Sequence, residues 1–320
     1  SRRFYWIIGW LMFGIILLAN FTGYLLPYDQ LAYWAVTVAT GMLEYIPLVG
    51  VNLQTFVRGG TEIGPATLRI FFALHTALLP ATLAGLAAFH FWRIRKAGGV
   101  VIPRKPGETH TRPVRVPTIP YLLLREVVTA SVLVAVVLFV AVFINAPLEA
   151  PANPGLSPNP TKAPWYFAGF QELLLHIHPT FAVFVVPLLV VTVLFAVPYL
   201  RYEEDAAGIW FASHRGRRMA IFSSGISCVI TTLSIFLHDW YLGGDPVASS
   251  KYSFVTTGVV PVVAWVAAIS GAYLLMRRKL SVSRNEAVQS VFLFLVVAFI
   301  VLTLTGALFR GKNMALVFLG

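Results

Sequence analysis

Seven long apolar runs dominate the chain and leave few architectures open to it. They cover roughly Phe4–Leu26, Leu68–Trp92, Tyr121–Ile144, Phe181–Leu200, Met219–Leu237, Val255–Met276 and Val288–Phe309. Each is long enough to cross hydrocarbon as a helix, which satisfies its own backbone hydrogen bonds where no water can. Only 12% of the residues are charged, about half the share of a typical soluble domain. The expected fold class is an all-α polytopic membrane protein, with about seven transmembrane helices plus interfacial amphipathic helices in the outer loops.

The net charge of +11 taken alone would admit a nucleic-acid partner, but its distribution argues for a lipid bilayer and no nucleic acid. Most Lys and Arg fall in one alternate set of loops and helix ends, the positive-inside pattern. That places the N-terminus, 93–125, 201–218 and 277–284 inside. The outside receives 27–67, 145–179, 238–253 and the C-terminal tail. The lone Cys228 lies in an apolar run, so the chain holds neither a disulfide framework nor thiolates for an iron–sulfur cluster. The polar, Pro-rich stretch 98–120 is the best boundary, giving 1–97, a linker at 98–120, and 121–320.

The segment Leu68–Arg95 carries His75 and His90, the ionisable side chains of the apolar cores. Fifteen helical residues bring them within about 60° of one face and about 22 Å apart along the axis. One imidazole near each membrane surface suits axial ligation of two haems; two histidines satisfied by a neighbouring helix is the plainer alternative. Gly9 and Gly23 lie 14 residues apart on the first run, so two flat macrocycles can rest there at matching depths. Ordinary small-residue helix packing gives the same pattern. Beyond Pro27, a short amphipathic helix through 30–43 is expected at the outer interface. Tyr24, Tyr28, Tyr33 and Trp34 form either a pocket wall or an aromatic belt.

Several motifs resemble cytochrome b of the quinol–cytochrome c reductase (cytochrome bc) complexes. GYLLPYDQLAYWAVTV is similar to that family's third helix end and interfacial hairpin. ATLRIFFALHTALLPATLAGLAAFH resembles its fourth helix, and the fourteen residues between the histidines match the plastid branch. NPTKAPWYFAGFQELL, at 159–174, is similar to the family's proline-Glu-Trp-Tyr region, and DWYLGGDPVASSKYSFVTTG, at 239–258, to a later helix-linking loop. TGALFRGKNMALVFLG extends past the mitochondrial pattern, as in bacterial versions with additional C-terminal helices.

The resemblance implies two b-type haems, with His75 as axial ligand of the outer, His90 of the inner, and Gly9 and Gly23 as packing glycines. Arg69 and Arg93 become candidates for haem propionates, although a snorkelling helix-end role serves Arg69 equally well. Tyr24, Tyr28, Trp34, Ala35 and Pro164 would line an outer quinol pocket, with Trp165 and Tyr166 beside it. The partners implied are a Rieske-type iron–sulfur protein and a cytochrome c subunit or equivalent acceptor, in a dimeric complex. The location implied is a bacterial-type inner membrane.

The sequence departs from the family in several places, among them Tyr28, Ala35 and the position of Arg69, and two of the departures bear on mechanism. The helix that supplies the second ligand of each haem is absent, so an N-terminal cytochrome b segment or another subunit is expected to provide them. The family's catalytic Glu aligns with Pro164, leaving Glu172, with His176 and His178 after it, to accept the quinol proton. Burial near the surface is expected to raise the pKa of Glu172 toward the working range. The expected function is a subunit, inactive alone, that oxidises quinol outside and passes electrons across through two haems, contributing to a proton gradient. A di-haem anchor of a membrane dehydrogenase is the nearer rival, and a haem-free transporter the distant one.

Overall fold

The computed structural model describes residues 2–103, 116–146, 148–202, 208–242 and 254–317. His110, much of the 98–120 linker and most of the 239–258 motif lie outside these. The described residues are helical with no strand, and seven helices are long and apolar enough to span a membrane. By length and composition these spans are Arg3–Tyr24, Pro65–Lys96, Thr118–Phe143, Phe181–Tyr199, His214–Tyr241, Phe254–Arg278 and Arg284–Leu308. They coincide with the apolar runs to within a few residues, and this is a multi-pass membrane protein.

In chain order the helices are α1 (Arg2–Tyr24), α2 (Gln30–Gly41), α3 (Gly50–Arg58), α4 (Pro65–Ala73), α5 (Leu79–Lys96) and α6 (Leu123–Phe143). They continue as α7 (Ala168–His176), α8 (Val186–Ala196), α9 (His214–Leu242), α10 (Val260–Arg278) and α11 (Arg284–Leu308). The chain divides into two compact units. Residues 1–106 and 151–320 form one, and 107–150, built on the apolar helix α6, the other.

Proline shapes the spans of the larger unit in a repeated way. A π turn over Leu74–Leu78 precedes Pro80, one over Phe181–Val185 precedes Pro187, and one over Phe254–Val259 precedes Pro261. Proline has no N–H for the carbonyl four residues back, and widening the preceding turn accommodates the loss. Leu79 N–H accordingly bonds the carbonyl of Leu74, five residues away.

Tight helix contacts are made where side chains are small. A Cβ at Gly306 would lie 2.7 Å from the Ala168 carbonyl oxygen, and one at Gly169 would lie 2.6 Å from Thr303 Oγ1. α7 therefore rests almost backbone to backbone on α11. α9 is stapled to α11 by hydroxyls: Ser223 donates to Ser290 O at 3.0 Å and Ser227 to Phe294 O at 2.6 Å. At the start of α11, buried Glu286 accepts from the Ser213 backbone N–H at 2.7 Å and from the Ser283 hydroxyl at 3.1 Å, joining the two helix starts.

These contacts sort the larger unit into two ends. One collects the start of α1 with the ends of α5 and α8: Trp6 Nε1 donates to Leu194 O, and Arg93 lies over the Phe4 and Tyr5 rings. The other collects the end of α1, the α2–α3 hairpin, residues 151–180 and the segment after α11. The hairpin closes on a core of Leu25, Tyr33, Val36, Ile63 and Phe71. Buried Arg58 ties it together, donating to Thr40 Oγ1 at 2.8 Å and to the Thr37 and Thr61 carbonyls. The predicted interfacial helix through 30–43 is α2, capped by Asp29, whose carboxylate accepts from Ala32 N–H at 2.8 Å.

Candidate functional site

The π turn bears directly on the histidine pair, because His75 lies inside it and His90 in α5. One extra residue in that turn makes the separation equivalent to about fourteen regular steps, about 40° from whole turns instead of about 60°. The two imidazoles still share a side of the helix, and each meets α1. His75 Nδ1 lies 2.9 Å from the Ala19 carbonyl and 3.5 Å from Thr22 Oγ1, so the N–H on Nδ1 donates to Ala19 and Nε2 is left basic. A Cβ at Gly23 would fall 2.5 Å from His75 Cε1, so only glycine admits the ring there.

His90 meets α1 through Tyr5, with ring centroids 6.5 Å apart, and its buried Nδ1 has no hydrogen-bond partner among the described residues. Arg93, one turn on, sits 5.8 Å from the Tyr5 centroid and likewise has a buried, unpartnered Nε. Gly9 has open space where its Cβ would be. Arg69 is exposed near the start of α4.

These features fit haem. A basic Nε2 on His75, an orphaned nitrogen on His90, open space at Gly9 and a guanidinium near His90 suit ligation and propionate binding, whereas the space beside Gly23 is taken by the His75 ring itself.

At the hairpin end the residues proposed for quinol divide into two groups. Tyr24 packs edge-on against Tyr166 at 6.4 Å, and Trp165 against Tyr166 at 5.7 Å. Pro164 is buried, while Trp165 is 71% exposed. The Gln171 side chain holds this segment, accepting from Ala163 N–H at 2.7 Å and donating to Thr161 O at 2.8 Å. The Tyr166 hydroxyl is buried with no partner among the described residues, and burial beside Tyr24 pushes its pKa up to about 12. Tyr28 and Trp34 pack on the hairpin core, and Ala35 is fully buried within α2. An open cleft of about 440 Å³ lies alongside, between the hairpin and Thr180 and Phe254, lined by none of these residues.

Glu172 behaves differently from the sequence expectation. It is fully buried, and Arg310, which follows α11, grips it through Nε at 2.9 Å and Nη2 at 2.5 Å. His176 Nε2 lies 3.0 Å from the same carboxylate. Burial pushes its pKa up, but the hydrogen bonds from His176 and Arg310 and the guanidinium charge outweigh that, holding it below the ordinary carboxylate range. The expected upward shift is therefore corrected to a downward one. Arg310 Nη1 also donates to Asp239 Oδ2 at 2.6 Å and to Met314 O at 2.9 Å, and His238 stacks edge-on against His176 at 4.6 Å.

Arg310, Asp239 and His238 were missed in the sequence. Arg310 carried a usable signal: a charge closing the apolar run TGALF needs a counter-charge if buried. The Glu172 and Asp239 that answer it lie 138 and 71 residues away, beyond the reach of spacing.

Known proteins similar to this chain are cytochromes b. A family described as "Cytochrome b(N-terminal)/b6/petB" matches residues 1–154. Cytochrome b of Cereibacter sphaeroides is 33% identical over 183 residues, covering 54% of this chain and 41% of that protein. Cytochrome b of Mycosarcoma maydis is 36% identical over 178 residues, covering 54% and 44%. That of Allochromatium vinosum is 31% identical over 220 residues, covering 62% and 53%. The matches thus span about half the length of these relatives. A solved structure titled "Hyperthermophilic respiratory Complex III" has the same fold, with a TM-score of 0.57 at 22% identity over 96% of this chain and 71% of that one.

Proposed function

We propose that this chain, whose residues 1–154 match the cytochrome b N-terminal family and which is 31–36% identical to curated cytochromes b, is the membrane electron-transfer subunit of a quinol-oxidising, cytochrome bc-type oxidoreductase. The carrying observation is the pair His75 and His90, on one side of one helix and both against α1, beside Gly23 and Tyr5. Haem is the cofactor the family implies; two b-type haems, one near each end, would supply one-electron transfer between the membrane faces. His75 would present Nε2 to an iron, its Nδ1 held by the Ala19 carbonyl, and His90 would present its own nitrogen toward the other end. Arg93 would pair a propionate near His90, and Arg69 one near His75. Any further protein ligand to these haems would have to be supplied by residues other than those described.

Quinol would bind at the hairpin end beside Tyr24, Pro164, Trp165 and Tyr166, with Tyr28, Trp34 and Ala35 supporting that end from within the hairpin packing. With Tyr166 held protonated by its raised pKa, its hydroxyl can donate to a quinol oxygen but cannot act as base near neutrality. Glu172, buried and held by Arg310 and His176, would be the carboxylate that accepts a proton. The hairpin end would then be the outer face, in keeping with the positive-inside pattern. A Rieske-type protein and a cytochrome c subunit would take the electrons that leave there, with protons released outside building the gradient.

The test is the purified assembly with each polypeptide identified by mass. Two b-type haems with quinol-dependent cytochrome c reduction support the reading. One or two haems with no dependence on an iron–sulfur partner would favour a di-haem dehydrogenase anchor.

A further inference from the structure

Outside the haem-ligand helix, one cluster of side chains has unmet coordinating capacity. We propose that His176, His238 and Asp239 form a binding site for a single divalent zinc-class ion, tying α7 to the end of α9. Ligating atoms of the three residues lie within 4.8 Å of one another, and no side chain of the set is more than 17% exposed.

The polar atoms at the cluster point to a cation. Nδ1 of His176 and both ring nitrogens of His238 are buried with no hydrogen-bond partner among the described residues. The two imidazoles meet edge-on, at 4.6 Å and 89°, without bonding each other. Burying three imidazole nitrogens unsatisfied is costly, and a shared cation satisfies two of them, one on each ring.

The surroundings are arranged as an outer coordination shell. Glu172 takes the hydrogen bond of His176 Nε2 at 3.0 Å, which fixes the tautomer with Nδ1 as the basic nitrogen. Arg310 occupies Oδ2 of Asp239, leaving Oδ1, which lies 3.7 Å from His238 Nδ1. Arg310 is the cation that opposes a metal, and its Nη2 stands 3.4 Å from His176 Nε2, the nitrogen the metal does not use. Two carboxylates, Glu172 and Asp239, outweigh that one guanidinium. Two imidazoles and one carboxylate select zinc-class ions over magnesium or calcium, which prefer all-oxygen shells. Three protein ligands leave a fourth position for water. Ligand separations must contract by roughly an ångström to reach bonds of about 2.0–2.2 Å, a movement confined to the last turns of α7 and α9.

This inference does not rest on the haem reading. The full chain, in its assembly, is equilibrated with zinc and washed, and metal and haem are counted separately. The expected result is one retained zinc per chain whose K-edge absorption shows two imidazoles and a carboxylate oxygen. His238→Asn should weaken zinc binding by roughly tenfold or more with haem content unchanged. No retained zinc in the wild type, or equal retention in His238→Asn, overturns the proposal. Should that variant fail to assemble, the wild-type spectrum decides, and a spectrum without imidazole scattering overturns it equally. Zinc retained without haem would leave this site standing and remove the haem reading.

Discussion

Two regions of the molecule treat a buried guanidinium in opposite ways, although each also keeps imidazole nitrogens without a partner among the described residues. Around the α4–α5 helix, imidazoles are left partly unsatisfied: His90 Nδ1 and Arg93 Nε have no partner among the described residues, and Gly9 faces open space. Around Arg310 the guanidinium is consumed internally, by Glu172, Asp239 and the Met314 carbonyl. The first region is shaped for something added to the chain. The second is a lock the chain closes on itself, joining α7, α9 and the segment after α11. Unsatisfied groups mark where to look for cofactors; satisfied ones mark what holds the frame.

Breaking the lock should have the largest effect. Arg310→Met strands two carboxylates, one of them fully buried, and a broken buried pair costs about 3–5 kcal/mol, read as a lower midpoint in thermal or denaturant unfolding. The lock also has a pH signature. The folded pKa of Glu172 is depressed, so its contribution is complete above the unfolded value of about 4.3 and is lost as pH falls through the folded one. Unfolding midpoints that stay flat through the acid range would contradict it.

Glu172→Gln comes next, because it separates the lock from the chemistry. Quinol oxidation should slow by roughly 10²-fold while both haems remain. In the unmodified protein the base is already ionised near neutrality, so the acid limb of the rate profile should lie below about pH 4.3. Unchanged turnover in the variant at every pH would sink the proposed role.

Two glycine variants sharpen the other half of the comparison. Gly23→Ala pushes a methyl into His75 and should cost about 1–3 kcal/mol, shifting or losing one haem signal. Gly9→Ala meets nothing within 4 Å in the chain itself, so its effect on unfolding should stay within about 0.5 kcal/mol. Any loss of haem there would come from a macrocycle against that face. Equal haem content in Gly9→Ala and the unsubstituted protein would remove Gly9 from the cofactor site.

The contrast also explains what the sequence could tell. Seven spans were legible because lipid demands unbroken apolar runs, and α2 because Pro27 and Asp29 punctuate its start. His75 and His90 stood out because ionisable groups are rare in such runs, and both sit on one helix where spacing gives direction. The π turn at Leu74–Leu78 was not foreseen, although Pro80 is its physical cause. The Arg310 lock was illegible because its members come from three separate helices or their ends. The direction of the Glu172 shift followed from that omission: burial alone raises a carboxylate, and the guanidinium that reverses it lies 138 residues away.

The most direct test of the account is an optical redox titration of the assembly carrying His75→Ala beside the unsubstituted one. The account predicts two b-type transitions in the latter and only one in the variant, with quinol oxidation abolished. Two intact transitions in His75→Ala would contradict the claim that this helix carries the haem ligands.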